Sequence, residues 1–214
     1  MKLRILLFIF IIALLLYGMY YYYTLPVAFA NLDSELIISD YPMQIDDIDS
    51  DPILVELGKG KLYYAPQAWY SLTARVLSKK RYHSGWTAQI SPYDLALAWG
   101  DFAQADFSKY VKFSQFLRYY LFKTRKDSPY SIEFISRHSS NNHIIPATNN
   151  LKRVLSKIRK DQIVNLEGLL VNVRGHFKKR PVSWNTSLSR EDTGEGGCEI
   201  FYVTQIRIGS NIYK

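Results

Sequence analysis

The chain has 214 residues, 48% of them hydrophobic and 15% aromatic, with a formal net charge of +8. That apolar content excludes a disordered chain, and a single cysteine, Cys198, excludes an intramolecular disulfide. The charge is divided: residues 1–108 carry 8 basic and 11 acidic side chains, whereas residues 109–214 carry 19 basic and 8 acidic. A basic surface of this kind attracts phospholipid headgroups, anionic glycans or nucleic acid, and is otherwise ordinary solvated charge.

In chain order, Lys2 and Arg4 precede an apolar run from Ile5 to Leu16 that continues into Tyr20, Tyr21, Tyr22 and Tyr23. Such a stretch is long enough to cross a bilayer, which takes roughly 20 helical residues, and the tyrosines suit an interfacial belt. Residues 31–56 are acidic and hold no Lys or Arg, so the positive-inside rule puts the N-terminus in the cytoplasm and the domain outside it. A cleaved signal peptide competes, with Ala28-Phe29-Ala30 as a small-x-small site. The distance from the apolar core to that site favours the uncleaved anchor. The expected organisation is an anchor or signal over 1–24, an acidic extended spacer over 25–52 that holds the domain off the membrane, and an exported β-rich domain over 53–214. The expected location is the cell inner membrane, single-pass, with a periplasmic C-terminal domain.

Within the domain, Tyr70, Leu72, Ala74 and Val76 alternate with polar residues and predict a half-buried strand. Ser91-Pro92-Tyr93-Asp94 is turn chemistry, with Asp94 as a cap for the apolar segment ending at Trp99. Residues 110–123 and 131–136 read as strands. Leu151, Val154, Leu155 and Ile158 follow helical spacing. Thr148, Asn149 or Asn150 is available as a cap, and Lys152, Arg153 and Lys157 make a basic outer face. Val164 and Leu166 then alternate in a strand whose apolar phase slips to Leu169, Val171 and Val173, which suggests a bulge at Gly168. Residues 182–187 and 200–208 are the last strands. The fold class expected is α+β, mostly β: an N-terminal transmembrane helix, then an OB-like or related small β-barrel with one amphipathic helix between its third and fourth strands.

Three blocks, SPYDLALAWG at 91–100, HSSNNHIIPA at 138–147 and SLSREDTGEGGCE at 187–199, resemble the signature segments of an uncharacterised family of bacterial membrane-anchored proteins. The resemblance implies an N-terminal anchor and one exported domain. It carries no reaction and transfers no catalytic residue.

His138 and His143 flank Ser139, Ser140, Asn141 and Asn142; two imidazoles suit proton transfer or metal binding, and His176 and Cys198 would complete a ligand set only if the fold gathers them. The block reads equally as a polar loop bonded to backbone. The glycine-rich stretch around Arg190, Asp192 and Glu195 suits a turn or an anion-binding nest. It runs into a strand, unlike a nucleotide-binding loop. Cys198 reads as a small buried hydrophobe or, less simply, as a nucleophilic thiol. No cofactor motif stands out.

Two functions compete. One is a binding module for an envelope protein or anionic ligand, using Lys152, Arg153, Lys157 and Asn141. The other is a membrane-anchored hydrolase using His138 or His143 with Arg190 and Asp192. Export makes nucleic acid an unlikely partner.

Overall fold

The computed structural model describes residues 2–189 and 197–214. Helix α1 spans Lys2–Thr24 and buries none of its apolar length against the rest of the protein. It is long and apolar enough to cross a membrane, and a signal sequence has the same character.

The strands and helices that follow are β1 (Ala30–Asn31), β2 (Met43–Asp46), β3 (Ile53–Leu57), β4 (Gly60–Arg81), α2 (Trp86–Ile90), β5 (Tyr93–Ala98), α3 (Gly100–Gln104), β6 (Val111–Phe116) and β7 (Tyr119–Thr124). The chain continues through α4 (Ile132–Arg137), β8 (Ser139–Pro146), α5 (Asn149–Lys157), β9 (Ile163–Phe177), β10 (Arg180–Trp184), β11 (Glu199–Ile208) and β12 (Asn211–Tyr213). The protein is mostly β, in one large mixed sheet and a separate β6–β7 hairpin.

Strand β4 pairs with β5 and β9, β5 with β8, and β11 with both β8 and β9. Following the pairings β4–β5–β8–β11–β9 therefore leads back to β4. Only β8–β11 among these is parallel. A parallel pair needs a crossover rather than a hairpin, and here the chain between β8 and β11 carries α5, β9 and β10.

The main core joins Tyr70, Leu72, Ala74 and Val76 of β4 to Leu95 and Leu97 of β5 and to Leu166, Leu170, Phe201 and Val203. Helix α5 adds Leu151, Val154 and Leu155, with Ile158 just beyond it. As its sequence predicts, α5 is capped: the Thr148 hydroxyl accepts from the Leu151 N–H at 3.2 Å. A second cluster lies on the other face of β5. There Ala96 and Ala98 meet Phe102, Phe107, Val111 and Ile135, with Phe113, Tyr120 and Phe122 packed against them. These come from residues 99–138, a long insertion between β5 and β8 that folds back over the sheet.

Several sequence expectations are corrected. Residues 131–136 begin a helix, not a strand, because Ser131 caps it by accepting from the Phe134 N–H at 3.0 Å. The segment after Asp94 is strand β5, so Asp94 is not a helix cap. The histidine block is strand β8, not a loop. The single amphipathic helix is joined by the short helices α2, α3 and α4.

Strand β9 has no bulge at Gly168; the register shifts lie in its partners, between Pro66 and Ala68 and between Val203 and Gln205. Both faces of β9 are buried instead. Leu166 and Leu170 face the main core, while Val171 and Val173 join a third cluster with Leu62, Tyr64, Ile145 and Ile200. The acidic stretch is not a free spacer either. Strand β1 pairs with β12, β2 pairs with β4, and Arg207 donates to the backbone oxygens of Leu32 and Ser34.

Candidate functional site

The site is built on the face of β5 and β8 that the insertion covers. Side chains alternate along a strand, so Asp94 shares a face with Ala96 and Ala98. The β5–β8 register sets Asp94 opposite His143, Ala96 opposite Asn141, and Ala98 opposite Ser139. Cross-strand partners stand about 5 Å apart at Cβ, so Asp94 and His143 meet. The β8–β11 register pairs Asn142 with Glu199, which brings Cys198 beside Asn141 and diagonal to His143.

Asp94 is completely buried. An ionised carboxylate there would be costly without a partner, and Arg118 supplies one, its Nη1 2.6 Å from Asp94 Oδ1. Removing a partner from such a pair typically costs about 3–5 kcal/mol. Arg118 also donates to the Ser91 carbonyl at 2.9 Å and stacks over the Tyr82 ring at 3.9 Å. Its own N–H donates to the Tyr82 hydroxyl at 3.1 Å. Arg118 and Leu117 form the two-residue turn of the β6–β7 hairpin, with φ of 72° and 49°. Such turns favour Asn and Gly, and a left-handed non-glycine residue costs roughly 1–2 kcal/mol. The guanidinium contacts offset that cost.

His143 is 4% exposed and lies under Trp184, with ring centroids 4.7 Å apart. Its Nδ1 is 3.0 Å from Asp94 Oδ1, an ion-pair distance, although the ring N–H is not aligned for a hydrogen bond. Catalytic hydrogen bonds are often loose before substrate binds. Burial by itself pushes the imidazole pKa down. The neighbouring Asp94 carboxylate and Cys198 sulfur favour the protonated ring and outweigh burial, so the net direction is upward. Asn141 completes the group. Its Nδ2 lies 3.8 Å from Cys198 Sγ and donates to the Arg118 carbonyl at 3.0 Å, while its Oδ1 accepts from Gln115 Nε2 at 2.6 Å. Both ends of the amide are therefore held, and its N–H₂ is turned toward the thiol.

Cys198 opens into a cavity of about 310 Å³ between β8 and the hairpin. Trp99, Tyr119, Tyr120, Leu121 and Phe122 form its apolar wall, and Ser139, Ser140 and Asn141 its polar side. Trp99 is 1% exposed, and its Nε1 has no hydrogen-bond partner among the described residues. Burial pushes the Tyr120 phenol pKa upward despite an opposing hydrogen bond with Ser139 at 2.9 Å, so it stays neutral.

The two histidines of the block do not meet. His138 precedes β8 and contacts the Phe134 carbonyl through Nδ1 at 2.8 Å, beside Tyr41. Five extended residues, about 16 Å of strand, separate it from His143. His176 is exposed near the end of β9, opposite Lys61 and Pro181. Among the described residues, no three His, Cys, Asp or Glu side chains are gathered to hold a metal ion. Arg190 and Asp192 lie outside the described residues.

Lys152 lines a second cavity of about 300 Å³ with Thr148, Asn149 and Tyr202. Lys157 extends over the Tyr21 ring at 5.5 Å. The Arg153 Nε is buried with no hydrogen-bond partner among the described residues. Sequence reasoning missed Asp94, Arg118 and Trp184 as site residues. Asp94 had one available signal, a carboxylate inside an otherwise apolar run.

No family model, curated protein or solved structure matches this chain.

Proposed function

We propose that the protein is a single-pass component of the cell inner membrane whose periplasmic domain is an OB-type barrel that binds an envelope ligand. The cyclic pairing β4–β5–β8–β11–β9 supports the barrel reading, as does α5 between the third and fourth of those strands in chain order. The basic N-terminal flank and the acidic segment after α1 support the orientation.

The observation that carries binding is the 310 Å³ cavity, whose aromatic wall stands opposite the polar Ser139, Ser140 and Asn141. It lies against the third barrel strand and the connection into the fifth, a region where OB barrels take ligands. An aromatic wall with a few converging polar groups suits a small ligand with an apolar body and a hydrogen-bond acceptor. Of the two histidines that the hydrolase reading offered as base, His138 is turned to the Phe134 carbonyl and only His143 stands beside an acid, Asp94; Arg190 and Asp192 lie outside the described residues. A basic-helix reading keeps only the exposed Lys152 and Lys157 beside the second cavity and α1.

The test is titration of the full chain in mild detergent with the fluorescent apolar probe anilinonaphthalene sulfonate, beside a cavity-filling Ser140→Trp variant. One saturable site is expected, weakened at least about tenfold in the variant, as a lost pocket contact of about 1.4 kcal/mol would give. Equal binding by both proteins overturns the reading.

A further inference from the structure

The cavity wall presents Cys198 and Asn141, and the buried His143 and Asp94 lie behind them on the same face of the sheet; the binding role assigned to the cavity leaves this set unused. Cys198 opens into the cavity, and the β8–β11 register sets it on the face of the sheet that carries His143, close enough to bias the ring's charge. Asp94 sits 3.0 Å from His143 Nδ1, and the Asn141 amide points at the Cys198 sulfur. We infer that Cys198 is the nucleophile of an acyl-transfer site, with His143 as its base and Asn141 as the donor to the oxyanion. The inference rests on the cavity being the ligand site and adds the substrate class: an ester with an apolar or aromatic acyl group.

Each part has a physical reason. A thiol attacks as the thiolate, and an adjacent imidazole promotes that form. Nδ1 of His143 faces Asp94, which leaves Nε2 for the thiol. Asp94 is a positioning residue: buried and clamped by Arg118, it holds the ring in one orientation, as the third member of a catalytic triad does. Arg118 and Asp94 are not the only charges to weigh. The Tyr82 hydroxyl, which accepts from the Arg118 N–H, stands near Asp94, and Glu199 borders the cavity next to Cys198. Asn141 is held at both ends, so its N–H₂ is already oriented when charge develops on a carbonyl oxygen, the requirement for oxyanion stabilisation. Trp99, Tyr119, Leu121 and Phe122 provide the apolar surface for the acyl chain.

The reaction closes without a further reagent. The Cys198 thiolate attacks the ester carbonyl carbon, a C–S bond forms, and the C–O bond to the alcohol breaks. The proton on His143 goes to the departing alkoxide. Water then adds to the thioester and gives its proton to His143. The new C–O bond replaces C–S, and the acid leaves. Ester and water become acid and alcohol, with thiolate and imidazolium restored.

Two measurements on the full chain in detergent test this. The first is alkylation of Cys198 by iodoacetamide as a function of pH, followed by intact mass. At pH 7 the rate is expected to exceed that of a free cysteine at least about tenfold, because the thiolate is the reacting form. His143→Gln should remove that excess, and Asp94→Asn part of it. A variant that does not fold, judged by circular dichroism, is replaced by Asn141→Leu. That variant should slow acylation by the esters about 100-fold, as loss of one oxyanion donor does, and slow alkylation, which has no oxyanion, far less.

The second is incubation with 4-nitrophenyl hexanoate and 4-nitrophenyl acetate. A single acyl adduct on Cys198 is expected, forming faster with hexanoate, and absent in Cys198→Ser. A wild-type alkylation rate equal to that of a free cysteine, or no adduct with either ester, overturns the inference. Neither result touches the cavity itself, whose binding is read separately by the fluorescent probe. Loss of probe binding with an intact adduct would remove the ligand reading and leave the nucleophile standing.

Discussion

Gly168 shows how a single residue controls the sheet. It lies in β9 where β11 crosses closest, and a Cβ there would stand 2.0 Å from the Tyr202 carbonyl oxygen. Real Cβ atoms do not approach backbone so closely, and the obstacle is another strand rather than a flexible side chain. Gly168→Ala must therefore push β11 away from β9, at a cost of about 3 kcal/mol or more. The expected result is a lower urea midpoint with an unchanged slope; an unaltered midpoint would mean that the two strands stand further apart. Because Cys198 directly precedes β11, the same variant should also disturb the thiol's position. Arg118 is a second residue of this kind. Its left-handed backbone and its Asp94 contact are two parts of one arrangement, and each makes sense only with the other.

Among the elements, α5 combines a buried apolar stripe with a cationic outer side. Leu151, Val154 and Leu155 are buried, whereas Lys152 and Lys157 are exposed. Arginine and lysine stems often cover apolar surface while the head stays wet, yet the Arg153 Nε is buried. The helix therefore presents fewer free cations than its sequence suggests. Replacing Lys152, Arg153 and Lys157 together with Ala should lower the salt needed to elute the full chain from heparin, because each exposed cation adds a screened attraction. Most of that change should come from the two lysines. An unchanged elution position would assign the anion affinity to other basic segments. The β6–β7 hairpin is the element that matters most to the site. Its aromatic side chains close one wall of the cavity while its turn delivers Arg118 to Asp94.

For the whole molecule, the link between α1 and the domain is short. Helix α1 ends at Thr24, and the Phe29 N–H already donates to the Ile212 carbonyl at 2.7 Å. Val27 is held by Asn150 through both its N–H and its carbonyl. The domain thus sits near the end of α1 instead of hanging from an extended tether. The Ala28-Phe29-Ala30 pattern lies where the chain is already engaged with β12. If α1 is the uncleaved anchor proposed above, the purified protein should keep residues 1–24 in its intact mass, and protease should digest its domain in spheroplasts but not in intact cells. A mature mass starting at Asn31 would establish cleavage instead.

The sequence by itself determined what depends on local order along the chain. Hydrophobicity and length marked α1. Period-two alternation marked β4, and i, i+3, i+4, i+7 spacing marked α5 with its Thr148 cap. These patterns are visible because a segment's own periodicity reports which of its faces is apolar, whatever that face packs against. Tertiary structure alone decided the rest. Strand β9 looked bulged because both its faces are buried, and no local signal separates a phase slip from a second core. The β6–β7 turn was hidden because Leu117 and Arg118 lack turn chemistry and are held by contacts with distant residues. The site was illegible for the same reason. Asp94, Arg118, His143 and Cys198 come from four separate places in the chain. Only the β5–β8 and β8–β11 registers, with the insertion folded over them, bring those side chains together.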